Sequence, residues 1–284
     1  MSSPVRGSER FRPLVRRWKT RLRALGYSVR YGGRGYAELA RGVRAALEAC
    51  RDEIPVLVVS YNNGVYVRNM VAQLRRFGLT PLVIDNRSTD AISLSILREL
   101  QASGDARVVF SAKNCGHRVG FIDPIYPLLP EVFAYTDPDL QLNPDLPGDF
   151  LRSLADLTTA FQVYKAGFAL EFPEGEATVD QKITVSSRRP IAYVGISTVR
   201  EFESQFWRLR LEHEGAPVYA ARIDTTFAVY RKSNYRGDAT DAVRVSGRFG
   251  ALHLPWFPRL DLFSDRDRAA YARGNVSSRF VGRS

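Results

Sequence analysis

Cysteine is nearly absent from this 284-residue chain: Cys50 and Cys115 are the only two. Two thiols do not make a disulfide framework, so the fold must rest on its apolar core, and a reducing cytoplasm is the expected setting. No stretch reaches the roughly 18 consecutive apolar residues that a membrane-spanning helix requires. The Arg-rich start also lacks the apolar segment of a secretory signal. Internal repeats and low-complexity tracts are missing too. Histidine is scarce, with three copies, so each one stands out. Acidic residues are in deficit, giving a net charge of +11, but the deficit is local. Residues 1–52 hold 13 Lys and Arg against 4 Asp and Glu, while the remainder holds 28 against 26. The basic character therefore belongs to an N-terminal extension and says little about the main domain.

What is present is ordinary for a soluble globular protein: 45% apolar and 25% charged residues, in a length that suits one large α/β domain or two small ones. Residues 1–9 are polar and frayed in expectation. Phe11, Leu14, Val15, Trp18, Leu22 and Leu25 then fall at steps of three and four, the spacing of one helix face. Pro13 suits its first turn and Gly26 its stop. Arg16, Arg17, Lys19, Arg21 and Arg23 occupy the other face. Such a helix fits an anionic membrane surface, where each Lys or Arg contributes about 1 kcal/mol. This would make the protein peripheral at the inner face of the membrane. The bland alternative is packing of the apolar face on the main domain or on a second copy of the chain, a homo-oligomer. No nucleic-acid-binding motif accompanies the arm, so no nucleic-acid partner is expected. Glycine-rich 27–36 reads as a linker and 36–50 as a helix with Leu39, Val43 and Leu47 on one face.

From residue 55 a pattern repeats. Short β-branched runs end in polar residues: Val56, Leu57, Val58 and Val59 before Ser60, Tyr61, Asn62 and Asn63; then Leu82, Val83 and Ile84 before Asp85, Asn86, Arg87, Ser88, Thr89 and Asp90. Val108, Val109 and Phe110 lead to Asn114, Cys115, Gly116 and His117. Phe133, Ala134 and Tyr135 lead to Asp137, Pro138 and Asp139. Helix-length sequence separates the first three, at 63–77 (Val67, Met70, Val71 and Leu74 inward) and at 91–100. Strand, helix, strand, helix, strand is the start of an open parallel sheet, whose ligands gather at the carboxyl ends of its strands. Pro124, Pro127 and Pro130 exclude a long helix before the Asp-Pro-Asp segment. Two carboxylates one residue apart can serve a hard divalent cation together with phosphate oxygens, although Asp-Pro-Asp is also an ordinary surface turn. Asp85 can accept from a nucleobase N–H and Tyr61 can stack on the ring, while Ser88 and Thr89 can cap the following helix.

The later part of the chain is less regular. Residues 165–171 read as a strand, with Gly167 where something approaches closely. An amphipathic helix is expected from 201 to about 214, opening on Glu201, Phe202 and Glu203. Residues 223–231 are strongly β-prone with Asp224 at their start, an acid whose bland role is to bond local backbone or Arg231. His253 lies beside Trp256. From 257 onward the chain reads as a mobile tail or a lid.

Together, Ser60, Tyr61 and Asn62, the Asp85 to Asp90 run, Asn114 to His117, and Asp137-Pro138-Asp139 resemble the nucleotide-binding half of a family 2-type glycosyltransferase with the GT-A fold, over about residues 54–150. The resemblance implies a Rossmann-like α/β fold: a mixed, mainly parallel sheet flanked by helices, with a helical N-terminal extension. It divides the chain into a basic extension 1–52, a catalytic domain 53–258 (nucleotide-sugar half 53–150, acceptor half 151–258) and a basic tail 259–284. By resemblance, Asp85 reads the uracil of a UDP-sugar with Tyr61 near the base, and Ser60, Asn62, Asn86, Asn114, His117 and Asp137 line the donor site. Asp137, Asp139 and His253 would hold Mn²⁺ or Mg²⁺, the imidazole favouring manganese. Glu203 or Asp224 would be the base, although the family's usual Glu-Asp pair is replaced in this chain by Glu203-Ser204. The implied activity is a metal-dependent, inverting transfer to a saccharide or lipid-linked acceptor hydroxyl, as in surface polysaccharide or glycolipid synthesis. The alternative is a non-catalytic nucleotide-sugar-binding or assembly subunit.

Overall fold

A computed structural model describes residues 34–179, 182–187 and 193–274. The helix expected over 11–25 and most of the linker after it lie outside the described residues. Helix α1 (Arg34–Glu48) leads into β1 (Val56–Ser60), α2 (Gly64–Arg75), β2 (Leu82–Asp85), α3 (Ala91–Ser103), β3 (Arg107–Phe110) and β4 (Val132–Thr136). Between β3 and β4 the prolines limit the chain to two short 3-10 turns, Val119–Phe121 and Tyr126–Leu128. β5 (Leu140–Leu142), α4 (Phe150–Ala160) and β6 (Lys165–Phe168) follow. Next come a hairpin of β7 (Lys182–Ser187) and β8 (Tyr193–Thr198), then α5 (Val199–Ser204), β9 (Arg210–Leu211) and β10 (Val218–Ala220). β11 (Ala228–Arg231), β12 (Ala242–Val245), β13 (Ala251–His253) and α6 (Asp265–Gly274) complete the described chain.

Nine strands form one sheet in the order β3-β2-β1-β4-β11-β6-β12-β10-β9. β3, β2, β1 and β4 are mutually parallel, and only β11 and β10 run against the common direction. The fold is thus the expected mixed, mainly parallel sheet flanked by helices. Its strands read as continuous apolar runs because both faces are covered. Val56, Val58, Val83 and Ala134 point to one face, where Val67, Met70 and Leu74 of α2, Ile96 and Leu97 of α3 and Phe150 of α4 close the core. Leu57, Val59, Leu82, Ile84, Phe133 and Tyr135 point to the other, under Leu39 and Val43 of α1 and the 3-10 turns. Among the described residues, no helix is long and apolar enough to cross a membrane.

Two expected elements differ. The helix foreseen from 201 to 214 is only Val199–Ser204 plus one 3-10 turn. A capping box between Thr198 and Glu201 starts it two residues early. After Trp207 the apolar residues alternate, Leu209 then Leu211, and the chain pairs with β10 as an edge strand. Beyond Phe257 the chain does not run free: Asp261 accepts from Tyr66 of α2 and from Arg268 of α6 at 2.5 Å, and the Phe263 ring lies 4.2 Å from that of Tyr66.

Two close fits hold the site-bearing strands. Gln73, buried in α2, donates to the Leu140 carbonyl at 3.0 Å and accepts from the Leu142 amide at 2.7 Å, so its amide stands in for a neighbouring strand along β5. A Cβ on Gly167 would meet the Phe227 carbonyl oxygen at 2.3 Å, which explains the glycine in β6: the chain entering β11 presses directly on it.

Replacing Gln73 with Leu strands two buried main-chain groups, each costing about 1–3 kcal/mol. Urea unfolding should show that loss, whereas Asn69→Leu should leave the midpoint nearly unchanged. Gly167→Ala should cost about 1–3 kcal/mol through overpacking; Gly148→Ala, with nothing within 4 Å of the added carbon, serves as its near-neutral control.

Candidate functional site

The parallel half of the sheet delivers four carboxyl ends to one edge, and the chain leaves β1 for β2 on one side and meets β4 on the other. That switch point is where a crevice opens in sheets of this kind. The loops after β1 and β2 are knitted together by Asn62. Its amide donates to Ser88 Oγ at 2.8 Å, its Oδ1 accepts from the amides of Thr89 (2.7 Å) and Asp90 (3.0 Å), and its Nδ2 reaches Thr89 Oγ1. Such saturation holds Asn62 at φ +51° and Arg87 at φ +65°, left-handed conformations that non-glycine residues seldom adopt. Asp90, not Ser88 or Thr89, caps α3, accepting from the Ser93 amide at 2.7 Å.

This knitting decides what the predicted donor residues can do. Asp85 is 1% exposed, and its two oxygens accept from the Ser88 hydroxyl (2.5 Å) and amide (3.0 Å). Burial raises its carboxyl above the ordinary range, against those two bonds. Asp85 therefore holds the loop rather than presenting a free carboxylate to a base. Ser60 is buried and bonded to Asn63, whose Oδ1 also accepts from the Tyr61 amide. Asn86 is equally enclosed: it donates to the Gly116 carbonyl at 2.8 Å and accepts from the Cys115 amide, which ties down the loop carrying Asn114 and His117. The members not buried are Tyr61, Asn114, His117 and Asp137. Burial lowers the His117 imidazole below its usual range, against the nearby Asp224 carboxylate.

The acidic triplet splits into two environments. Asp137 accepts from the Thr225 hydroxyl, and its amide donates to the Thr225 carbonyl at 2.9 Å. Burial and the neighbouring Asp139 charge push its carboxyl well above the carboxylate range. Asp139 faces the other way: its Oδ2 lies 3.4 Å from His253 Nε2, and its Oδ1 is buried with no hydrogen-bond partner among the described residues. The antiparallel pair β5–β13 sets this meeting, with His253 opposite Leu140 and the Leu254 amide donating to the Asp139 carbonyl at 3.0 Å. No three His, Cys, Asp or Glu side chains converge among the described residues: Asp139 and His253 stand together, while Asp137 is bonded to Thr225.

The two candidate bases also part company. Glu203 is 1% exposed and paired with buried Arg244, with the Phe206 ring 4.1 Å from the guanidinium. Burial pushes Glu203 up to about 7 despite Arg244. The acid in the first turn of α5 is Glu201, and Glu203 is a core group. Asp224, by contrast, has a 65% exposed side chain and pairs with Arg118 at 2.5 Å, not with Arg231. Arg231 instead reaches Thr158 and the Ala155 carbonyl. Burial acts to raise Asp224, but Arg118, His117 and Lys165 outweigh it and hold the carboxylate below its usual range. Asp224 directly precedes Thr225, the partner of Asp137, so it stands at the same sheet edge as the acidic triplet.

Arg118, Thr225, Gln73 and Lys165 are residues of this region that the sequence motifs do not single out. Gln73 had a signal, a polar residue between the inward-facing Met70 and Leu74; so did Lys165, a charge opening an apolar strand. Arg118 and Thr225 had none, because their partners are remote in the chain.

No family model and no curated protein matches the chain. Among solved structures it is similar to a mannosyltransferase, PcManGT from Pyrobaculum calidifontis, in complex with GDP-Man and Mn²⁺: 13% identity over 73% of this chain and 56% of the other, TM-score 0.40. Similarity extends to S. aureus TarS 1–349 (15% identity, 63% of this chain and 47% of that one, TM-score 0.34). It also extends to a 4-diphosphocytidyl-2C-methyl-D-erythritol synthase from Anaerococcus prevotii (10% identity, 78% and 99%, TM-score 0.32). The chain thus spans about half the length of the first two proteins.

Proposed function

We propose that this protein is a nucleotide-sugar glycosyltransferase that moves a sugar, with inversion, from a UDP-sugar to an acceptor hydroxyl. The observation that carries the reading is the unpartnered, buried Oδ1 of Asp139 beside His253, at the end of the sheet where the β1 and β2 loops meet. A buried carboxylate oxygen without a hydrogen bond is costly unless a cation or donor satisfies it. One carboxylate and one imidazole fit a divalent ion that draws its remaining ligands from diphosphate oxygens and water. Asp139 and His253 would hold that ion, which as a Lewis acid offsets negative charge on a departing diphosphate.

The rest of the chemistry falls to this chain's own side chains. Tyr61 is the accessible aromatic at the β1 end and offers a face to the nucleobase, on a floor fixed by Asn62, Ser88 and Asp85. Asp224 receives the acceptor proton: its carboxylate is ionised, exposed and next to the acidic triplet, whereas Glu203 is sealed in the core with Arg244. Inversion requires the acceptor to attack the face of the sugar opposite the departing diphosphate, with Asp224 as the proton acceptor on that side. Arg118 orients the carboxylate and is the group an incoming acceptor must displace.

A panel of UDP-sugars assayed for Mn²⁺-dependent hydrolysis and transfer tests the reading. Asp139→Ala should abolish turnover, and Asp224→Asn should lower kcat by about 10²–10⁴-fold with little change in donor KM. A wild-type protein that binds a donor and turns over none is a binding subunit, and the enzyme reading falls. Glu203 gives a separate signature. Its folded pKa of about 7 lies above the ordinary 4.5, so the native state keeps a proton that the unfolded chain has lost. Stability from this group is therefore full below pH 4.5 and declines as pH rises to 7. Chemical unfolding at stepped pH should show that decline in wild type and a flatter profile in Glu203→Gln.

A further inference from the structure

Two buried cations, Lys165 and Arg244, have no place in the chemistry above. They stand on adjacent parallel strands: β12 runs beside β6 with Ala242 opposite Lys165 and Arg244 opposite Gly167, so both side chains leave the same sheet face. Lys165 is 3% exposed and, among the described residues, forms no ion pair with a carboxylate. Its Nζ donates to the Asp224 carbonyl at 3.1 Å and lies 5.1 Å from the centre of the Tyr230 ring. Arg244 uses Nη1 for Glu203 and Nε for the Arg222 carbonyl at 2.8 Å. The two cations thus take alternate carbonyls of one segment, Arg222 and Asp224, which leads through a bend into β11. Ile223 between them is buried in the core, and Thr225 is fastened through both its main chain and its hydroxyl to Asp137.

We infer that Lys165 and Arg244 are positioning residues that clamp the main chain at 222–225 and thereby aim the Asp224 carboxylate out of the sheet toward the acidic triplet. Neither touches a reacting atom. Desolvating an ammonium costs several kcal/mol, and an apolar side chain of the same length would pack there more cheaply, so the cation is retained for what it holds. Burial lowers Lys165 to about 8, against the attraction of the nearby Asp224 carboxylate, so this enclosure disfavours the ammonium and its hydrogen bond to the Asp224 carbonyl is what offsets that cost. Gly167, between the two cations on the same face, leaves room for the Phe227 carbonyl to close down on the sheet. The role of Asp224 as proton acceptor rests on the glycosyltransferase reading; the clamp itself does not.

The test separates the two. Lys165→Met keeps the length and removes the charge, in the full chain. Hydrogen exchange followed by mass spectrometry should show residues 222–227 exchanging about tenfold faster than in wild type, while 56–60 and 82–85 are unchanged. In donor hydrolysis, kcat should fall with donor KM held, and the acid limb of the pH profile should move to higher pH as Asp224 loses a neighbouring positive charge. Unchanged exchange at 222–227, or an equal rise throughout the sheet, overturns the clamp. If wild type hydrolyses no donor, the glycosyltransferase reading fails, and exchange alone still decides the clamp.

Discussion

Asn62 saturates its side chain across the gap between the loops that follow β1 and β2, and the rest of the edge depends on that saturation. Parallel strands end with main-chain N–H and C=O groups that have no ladder partner, and in a crevice closed by helices water cannot satisfy all of them. Asn62, Asn63, Ser88, Asp85 and Asn86 supply the missing partners. The result is a floor whose polar groups are spent on one another. What remains accessible above it, Tyr61, Asn114 and His117, is carried on loops that cannot drift independently.

Charge is distributed by the same logic of enclosure. Carboxyls that lie under the surface, Asp85, Asp137 and Glu203, are driven toward their neutral forms, while Asp224, beside Arg118 and still open to solvent, stays ionised. At this edge Asp85 and Asp137 accept hydrogen bonds from Ser88 and Thr225, while Asp224, held below its usual range, is the acid available for chemistry. Asp139 directs one oxygen at His253, and its other oxygen is buried with no hydrogen-bond partner among the described residues.

The parallel half of the fold was legible because β-branched runs and helix spacing are local signals, and they alternate without interruption from Val56 to Phe110. The residues at the strand ends were legible as a group, since polar side chains collect there for topological reasons. Their division of labour was not. Whether Asp85 or Asp137 carries a free carboxylate depends on Ser88 and Thr225, and the second of these lies far along the chain from its partner. The helix expected to run to about 214 failed for a local reason: Leu209 and Leu211 alternate, and the edge of the sheet needed a strand. Lys165 and Arg244 show the deeper limit, because a cation's value is set by which carbonyl folds over it.

The two-residue meeting of Asp139 and His253 hangs on a ladder of only three rungs between β5 and β13. Since side chains alternate faces along a strand, adding or deleting a single residue just ahead of Ala251 would turn the imidazole away from its partner. Length variation should therefore be forbidden around residue 250, a constraint on indels that follows from pleat geometry rather than from any side chain's chemistry.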